Sequence, residues 1–159
     1  MNLDIAVLAD AATVDAGGKL NILGAFHRLR GRSFPLRHGR LSLVLRFAPE
    51  PGDGGKMKVG IRLVGPDDEE VVRLDGEVAH RGGEIPEHAR IPQVLNLDGI
   101  VFKSPGTYRF QVSVDGNEVG NVPLHVEEAS RADEGPGPGS GGGPTLIMVP
   151  PGSEGGVRA

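Results

Sequence analysis

Cysteine and tryptophan are both absent from this chain of 159 residues, and tyrosine occurs once. Without cysteine there is no disulfide framework, thiolate zinc site, thiol nucleophile or iron–sulfur cluster, and a reducing cytoplasm suits such a chain. Of the five phenylalanines, Phe47 and Phe110 fall on apolar stripes, which disfavours the exposed aromatic platforms on which sandwich proteins stack sugars. No run approaches the roughly 18 apolar residues of a membrane span. The opening "MNLDIAVLADAATVD" has no basic n-region and is interrupted by Asp4 and Asp10, so it does not read as a signal peptide. A cytoplasmic protein that does not enter a membrane is the expectation. The sequence also holds no G-x-x-x-x-G-K-[ST], no G-x-S-x-G and no H-E-x-x-H, and no segment of ten or more residues keeps a helical period.

What the chain has in excess is glycine and proline, 26 and 13 residues, and they are unevenly spread. From Ala129 to Ala159 they fill 14 of 31 positions, in "EGPGPGSGGGP" and "PPGSEGG". A segment so composed cannot bury enough apolar surface to fold. The expected organisation is therefore a domain over 1–128 and a disordered Gly/Pro-rich tail over 129–159.

Within the first 128 residues the signal is alternation. In "RLSLVLRF", Leu41, Leu43, Leu45 and Phe47 point one way while Arg40, Ser42, Val44 and Arg46 point the other. "KMKVGIRL" repeats this with Met57, Val59, Ile61 and Leu63, "VVRLDGEV" with Val72, Leu74 and Val78, and "TYRFQVSV" with Tyr108, Phe110, Val112 and Val114. Asp115-Gly116-Asn117 can turn a tight hairpin into "NVPLHV", whose Val122, Leu124 and Val126 face inward. "DIAVLAD" and "KLNILGAFHRL" form a second hairpin across "DAGGK" at the other end. "IPQVLNLDGIVF" is the eighth strand, with a bulge at Gly99 where the apolar phase changes. Eight such strands predict an all-β fold, an immunoglobulin-like antiparallel β-sandwich. A small closed barrel is the alternative.

These residues also carry a resemblance. "ADAATVDAGGKLNILGAFHRL", the "FP" that follows, "LVLRF" and the closing "LNLDGIVFKSPGTYRFQVSVDGNEVGNVPLHV" resemble a family of small bacterial β-rich proteins known only as a domain of unknown function. The likeness covers about residues 1–128, rests on turns and core positions, implies a β fold and supplies no active site.

Several stretches could carry chemistry. "GPGSGG", Gly137 to Gly142, formally satisfies G-x-G-x-x-G, but neither the strand nor the helix that a dinucleotide needs flanks it. The histidines are His27, His38, His80, His88 and His125, and "HRGGEIPEH" places His80, Glu84, Glu87 and His88 in one loop of metal-ligand types. A solvated connection between strands is the plainer reading. Asp67 to Glu70, "PDDEE", is a solubilising turn with calcium-ligand chemistry.

"HRLRGRSFPLRHGR" holds Arg28, Arg30, Arg32, Arg37 and Arg40, a candidate anion-binding set. Between Ala16 and Pro49 there are seven basic residues and no acid, which leaves ten basic against 21 acidic residues elsewhere in a chain of net charge −4. With little aromatic interleaving and nothing to enter a groove, nucleic acid is disfavoured and cross-strand pairing with acids is preferred. In the tail, "TLIMV" offers Leu146, Ile147, Met148 and Val149 as a short β-prone segment that could add to a sheet edge. The expectation that results is a non-enzymatic module without cofactor, metal or catalytic residue, acting through an unidentified protein partner or self-association. The alternatives are polyanion binding through residues 27–40 and a metal-dependent enzyme using the 80–88 loop.

Overall fold

A computed structural model describes residues 1–53, 55–79, 86 and 88–130. Among them are eleven strands: β1 (Asn2–Val14), β2 (Leu20–Phe26), β3 (Arg28–Gly31), β4 (Leu36–Arg37), β5 (Arg40–Ala48), β6 (Lys56–Val64), β7 (Glu70–Ala79), β8 (Ile91–Asp98), β9 (Val101–Phe102), β10 (Gly106–Val114) and β11 (Asn117–Glu128). A four-stranded sheet runs β2-β1-β5-β8, a five-stranded sheet runs β3-β11-β10-β6-β7, and β4 pairs with β9. Every pairing is antiparallel except β3 with β11, which is parallel. No described helix is long and apolar enough to cross a membrane.

The expected alternation is what closes the two sheets on each other. Leu41, Leu43, Leu45 and Phe47 of β5 are buried in one cluster with Ile61 and Leu63 of β6, Phe110 and Val112 of β10, and Leu124 and Val126 of β11. Fully burying a side chain of this size is worth about 1.5–3 kcal/mol each, so these stripes hold the sandwich together. Asp115 and Gly116 adopt φ of 49° and 84°, the left-handed pair that a two-residue hairpin between β10 and β11 requires.

Two of the eight expected strands are subdivided. "KLNILGAFHRL" breaks at His27 because the chain changes sheets: β2 stays beside β1, whereas β3 crosses to β11, and His125 N–H donates to the His27 carbonyl at 2.9 Å. "IPQVLNLDGIVF" breaks at Gly99, whose φ of 68° ends β8 and starts the short β9 against β4. There the Gly99 N–H reaches the Gly39 carbonyl at 2.8 Å.

Tyr108, near the start of β10, is buried, with its ring edge-on to Phe102 at 4.9 Å between centroids. Its hydroxyl donates to the Ser104 carbonyl at 2.9 Å, tying the β9–β10 connection to the core. Replacing Tyr108 by Phe keeps the packing and orphans that carbonyl, and should lower unfolding free energy by about 1 kcal/mol. Urea denaturation, with an unchanged slope and a lowered midpoint, checks it.

Candidate functional site

The arginine-rich stretch is divided among structures. Arg28 and Arg30 lie on β3, where one carboxylate of the neighbouring strand serves both: Glu127 sits 3.1 Å from Arg28 Nε and 3.5 Å from Arg30 Nε. Arg40 belongs to the other sheet, and its guanidinium grips Asp98 of β8 through Nε and Nη2 at 2.7 and 3.3 Å. Arg37 is on β4, and a Cβ placed on Gly99 would come within 3.1 Å of its Nη2. Arg32 is exposed in the connection before β4. Structure thus brings Arg28 and Arg30 together over an acid and leaves Arg37 and Arg40 on different sheets. A phosphate at Arg28 and Arg30 would have to displace Glu127, and one at Arg40 would have to displace Asp98.

The acids of the sequence are used in the same way. At the β6–β7 turn Asp68 pairs with Arg109 at 2.7 Å, Glu69 with Lys103, and Glu70 with Arg62 at 2.7 Å. Three neighbouring carboxylates therefore face three separate cations, unlike a converging calcium shell. His27 and His125 meet edge-on at 6.3 Å, and His125 Nδ1 lies 3.1 Å from Thr107 Oγ1. His38 packs near Phe26, and its Nε2 is buried without a hydrogen-bond partner. Among the described residues no three His, Cys, Asp or Glu side chains converge as metal ligands. His88 is exposed. His80, Glu84, Glu87, the Gly137–Gly142 string and Leu146, Ile147, Met148 and Val149 lie outside the described residues.

Two features escaped the sequence reading. The first is an apolar cleft of about 280 Å³ where the β7 and β8 edges face each other, lined by Leu45, Phe47, Ile61, Leu74, Val78 and Leu95. It exists because Gly76 occupies the inward row of β7 opposite Val59 and contributes no side chain. A glycine at an inward position of "VVRLDGEV" was the available signal.

The second is the distal half of the β1–β2 hairpin. Residues 2–9 of β1 pair with β5, but Ala11 to Val14 pair only with Leu20 to Leu23 of β2, so this ribbon extends past the sheet. Four large hydrophobic residues are exposed among those described, and three sit on the ribbon: Val14, Ile22 and Leu23, the last 71% exposed. At Gly24, with φ of 65°, a Cβ would collide with the Asp10 carboxylate, so glycine alone lets β2 follow β1 there. In the sequence the ribbon looked like any other half-buried hairpin.

A Cβ on Gly76 meets nothing within 4 Å, so Gly76→Val should fill the cleft and raise stability by about 1 kcal/mol, read as an upward shift in melting temperature. Electrostatics give a second expectation. Hydrogen bonds from Arg40 hold Asp98 below the ordinary carboxylate range, and those from Arg46 do the same for Asp4, which Arg90 also contacts at 3.0 Å. Carboxylates depressed on folding contribute stability that is present above the unfolded value of about 3.8 and is lost as pH falls through the lower folded value. The stability gap between the wild type and Asp4→Asn should therefore be widest near pH 7 and shrink below about pH 4 in denaturation measured across pH.

No curated protein matches the chain at a significant level. A family model does, over residues 4–127, a span that opens within β1, closes one residue before the end of β11 and takes in both sheets and the ribbon. The chain belongs to that family, a family of unknown function designated DUF6941.

Proposed function

We propose that this chain is a non-enzymatic interaction module of the cytoplasm, with an immunoglobulin-like strand arrangement, that works by contact with another protein or with its own copies. The observation that carries the reading is the projecting ribbon, where Val14, Ile22 and Leu23 are left in solvent. Exposed apolar side chains gathered on one element, rather than scattered singly, are a mark of interaction surfaces. Anchors of this kind are what a binding module presents, whereas Arg28, Arg30 and Arg40 are engaged with Glu127 and Asp98.

The immunoglobulin-like comparison has two supports. In such sandwiches strands B and E are neighbours, and C, F and G lie side by side with C′ added at the edge. Here β5 lies beside β8, and β7, β6, β10 and β11 adjoin in that order. The hydroxyl of Tyr108, early in β10, also reaches back to a backbone carbonyl four residues upstream, in the manner of the tyrosine that marks strand F. Residues 1–128 form the folding unit in this reading, and residues 129–159 a tether carrying Leu146 to Val149.

A version ending at Glu128 should melt cooperatively on its own, because every strand of the two sheets ends by that residue. In pull-downs it should retain a protein, and Ile22→Lys with Leu23→Lys should abolish retention while leaving the melting temperature unchanged. A truncated chain without a cooperative transition overturns the domain assignment. Retention indifferent to the ribbon overturns the function.

A further inference from the structure

We propose that the free edge of β2 pairs antiparallel with β2 of a second copy of this chain, joining two four-stranded sheets into one sheet of eight. The proposal rests on the interaction reading above and names its surface and its occupant.

Two facing sheets have four edge strands, and an edge strand carries a row of unpaired N–H and C=O groups that templates another strand unless something blunts it. Three of the four edges here are blunted. β3 carries Arg28 and Arg30 in four residues, so a second β3 laid against it would set arginine near arginine. β7 carries Glu70, Arg73, Asp75 and Glu77. β8 has Pro92, which has no N–H to donate. β2, "LNILGAF", has no charge and no proline over seven residues. It also carries two of the exposed large apolar side chains among the described residues, Leu23 at 71% and Ile22 at 38% exposure.

The same strand is complementary to itself. Pairing about a two-fold axis at Leu23 puts Leu23 opposite Leu23 of the copy, Ile22 opposite Gly24, whose φ of 65° departs from extended backbone, Asn21 opposite Ala25 and Leu20 opposite Phe26. No pair across this seam sets like charges together, and the pattern is isologous, the commonest closed assembly. A second copy therefore needs no feature that this chain lacks. At about 3.4 Å per residue the seam is about 24 Å long, and at a sheet thickness of about 10 Å it buries on the order of 500 Å² in total. That is below the roughly 1,200 Å² of a stable interface, so the dimer forms and dissociates with concentration.

Sedimentation velocity on the 159-residue chain from about 1 µM to about 1 mM, the range in which weak interfaces associate, tests this. The wild type should pass from monomer to dimer across it, with protection of β2 amides from exchange rising in step. Leu23→Glu and Leu23→Arg each set like charges on the two-fold axis and should weaken association by about tenfold or more, while an equimolar mixture of the two should recover it. Leu23 is exposed, so unchanged melting curves should confirm that both variants fold. A wild type that stays monomeric throughout overturns the proposal, and so do variants that associate like the wild type. A monomeric wild type that still captures another protein through Ile22 and Leu23 overturns self-pairing and leaves the interaction reading standing. If it captures nothing, both fall.

Discussion

Burial of β5 on both of its faces is the constraint on which the rest of the architecture depends. Leu41, Leu43, Leu45 and Phe47 fill the space between the sheets, and on the opposite side Ser42 and Val44 are also without solvent exposure. A slip of one residue in this strand would drive its arginines into the core and carry four large apolar side chains out of it. The ends of the strand are held accordingly: Arg40 is clamped by Asp98 of β8 and Arg46 by Asp4 of β1, each through two guanidinium nitrogens. Between those clamps Ser42 Oγ donates to Asn96 Oδ1 at 2.7 Å, a polar contact that only the observed register provides. Both neighbours of β5 are thus set in place, and the β1–β2 ribbon takes its position from β1.

Charge is used locally throughout the molecule. The chain holds seven basic residues and no acid between Ala16 and Pro49, with its acids elsewhere, which in one dimension looks like a polarised molecule. Folding undoes much of that separation, because strands far apart in sequence become neighbours. Glu127 comes to Arg28 and Arg30, Asp98 to Arg40, and Asp4 to Arg46 and Arg90. Exposed pairs of this kind add little stability each. Their effect is on which strands pair, since a wrong register would set like charges side by side.

Much of the fold was legible because period-two alternation is a one-dimensional record of a two-faced sheet. The stripes of β5, β6, β10 and β11, and the Asp115-Gly116 turn, could be read directly. Strand breaks at His27 and Gly99 could not, since nothing local distinguishes a continuing strand from one that crosses to the other sheet. Arg28 to Arg40 could be identified as a cluster but not as partners of Glu127 and Asp98, which lie 58 or more residues away from their partners. The exposure of Leu23 was hidden for the opposite reason: "KLNILGAF" has the composition of a covered strand, and only the pairing of β1 with β5 reveals that, among the described residues, no strand of the sheet continues beside its distal half.

The crossing of the chain at His27 has a consequence for how the molecule is made. β3 leaves the sheet of its own hairpin and lies parallel to β11, with Arg28 beside His125. A ribosome releases those two strands nearly a hundred residues apart, so the β3 edge waits for the last strand of the sandwich before it gains a neighbour. Non-local pairing of this kind raises contact order and slows folding. Until then the hairpin of β1 and β2 can form while the strand that follows it stays without its parallel neighbour.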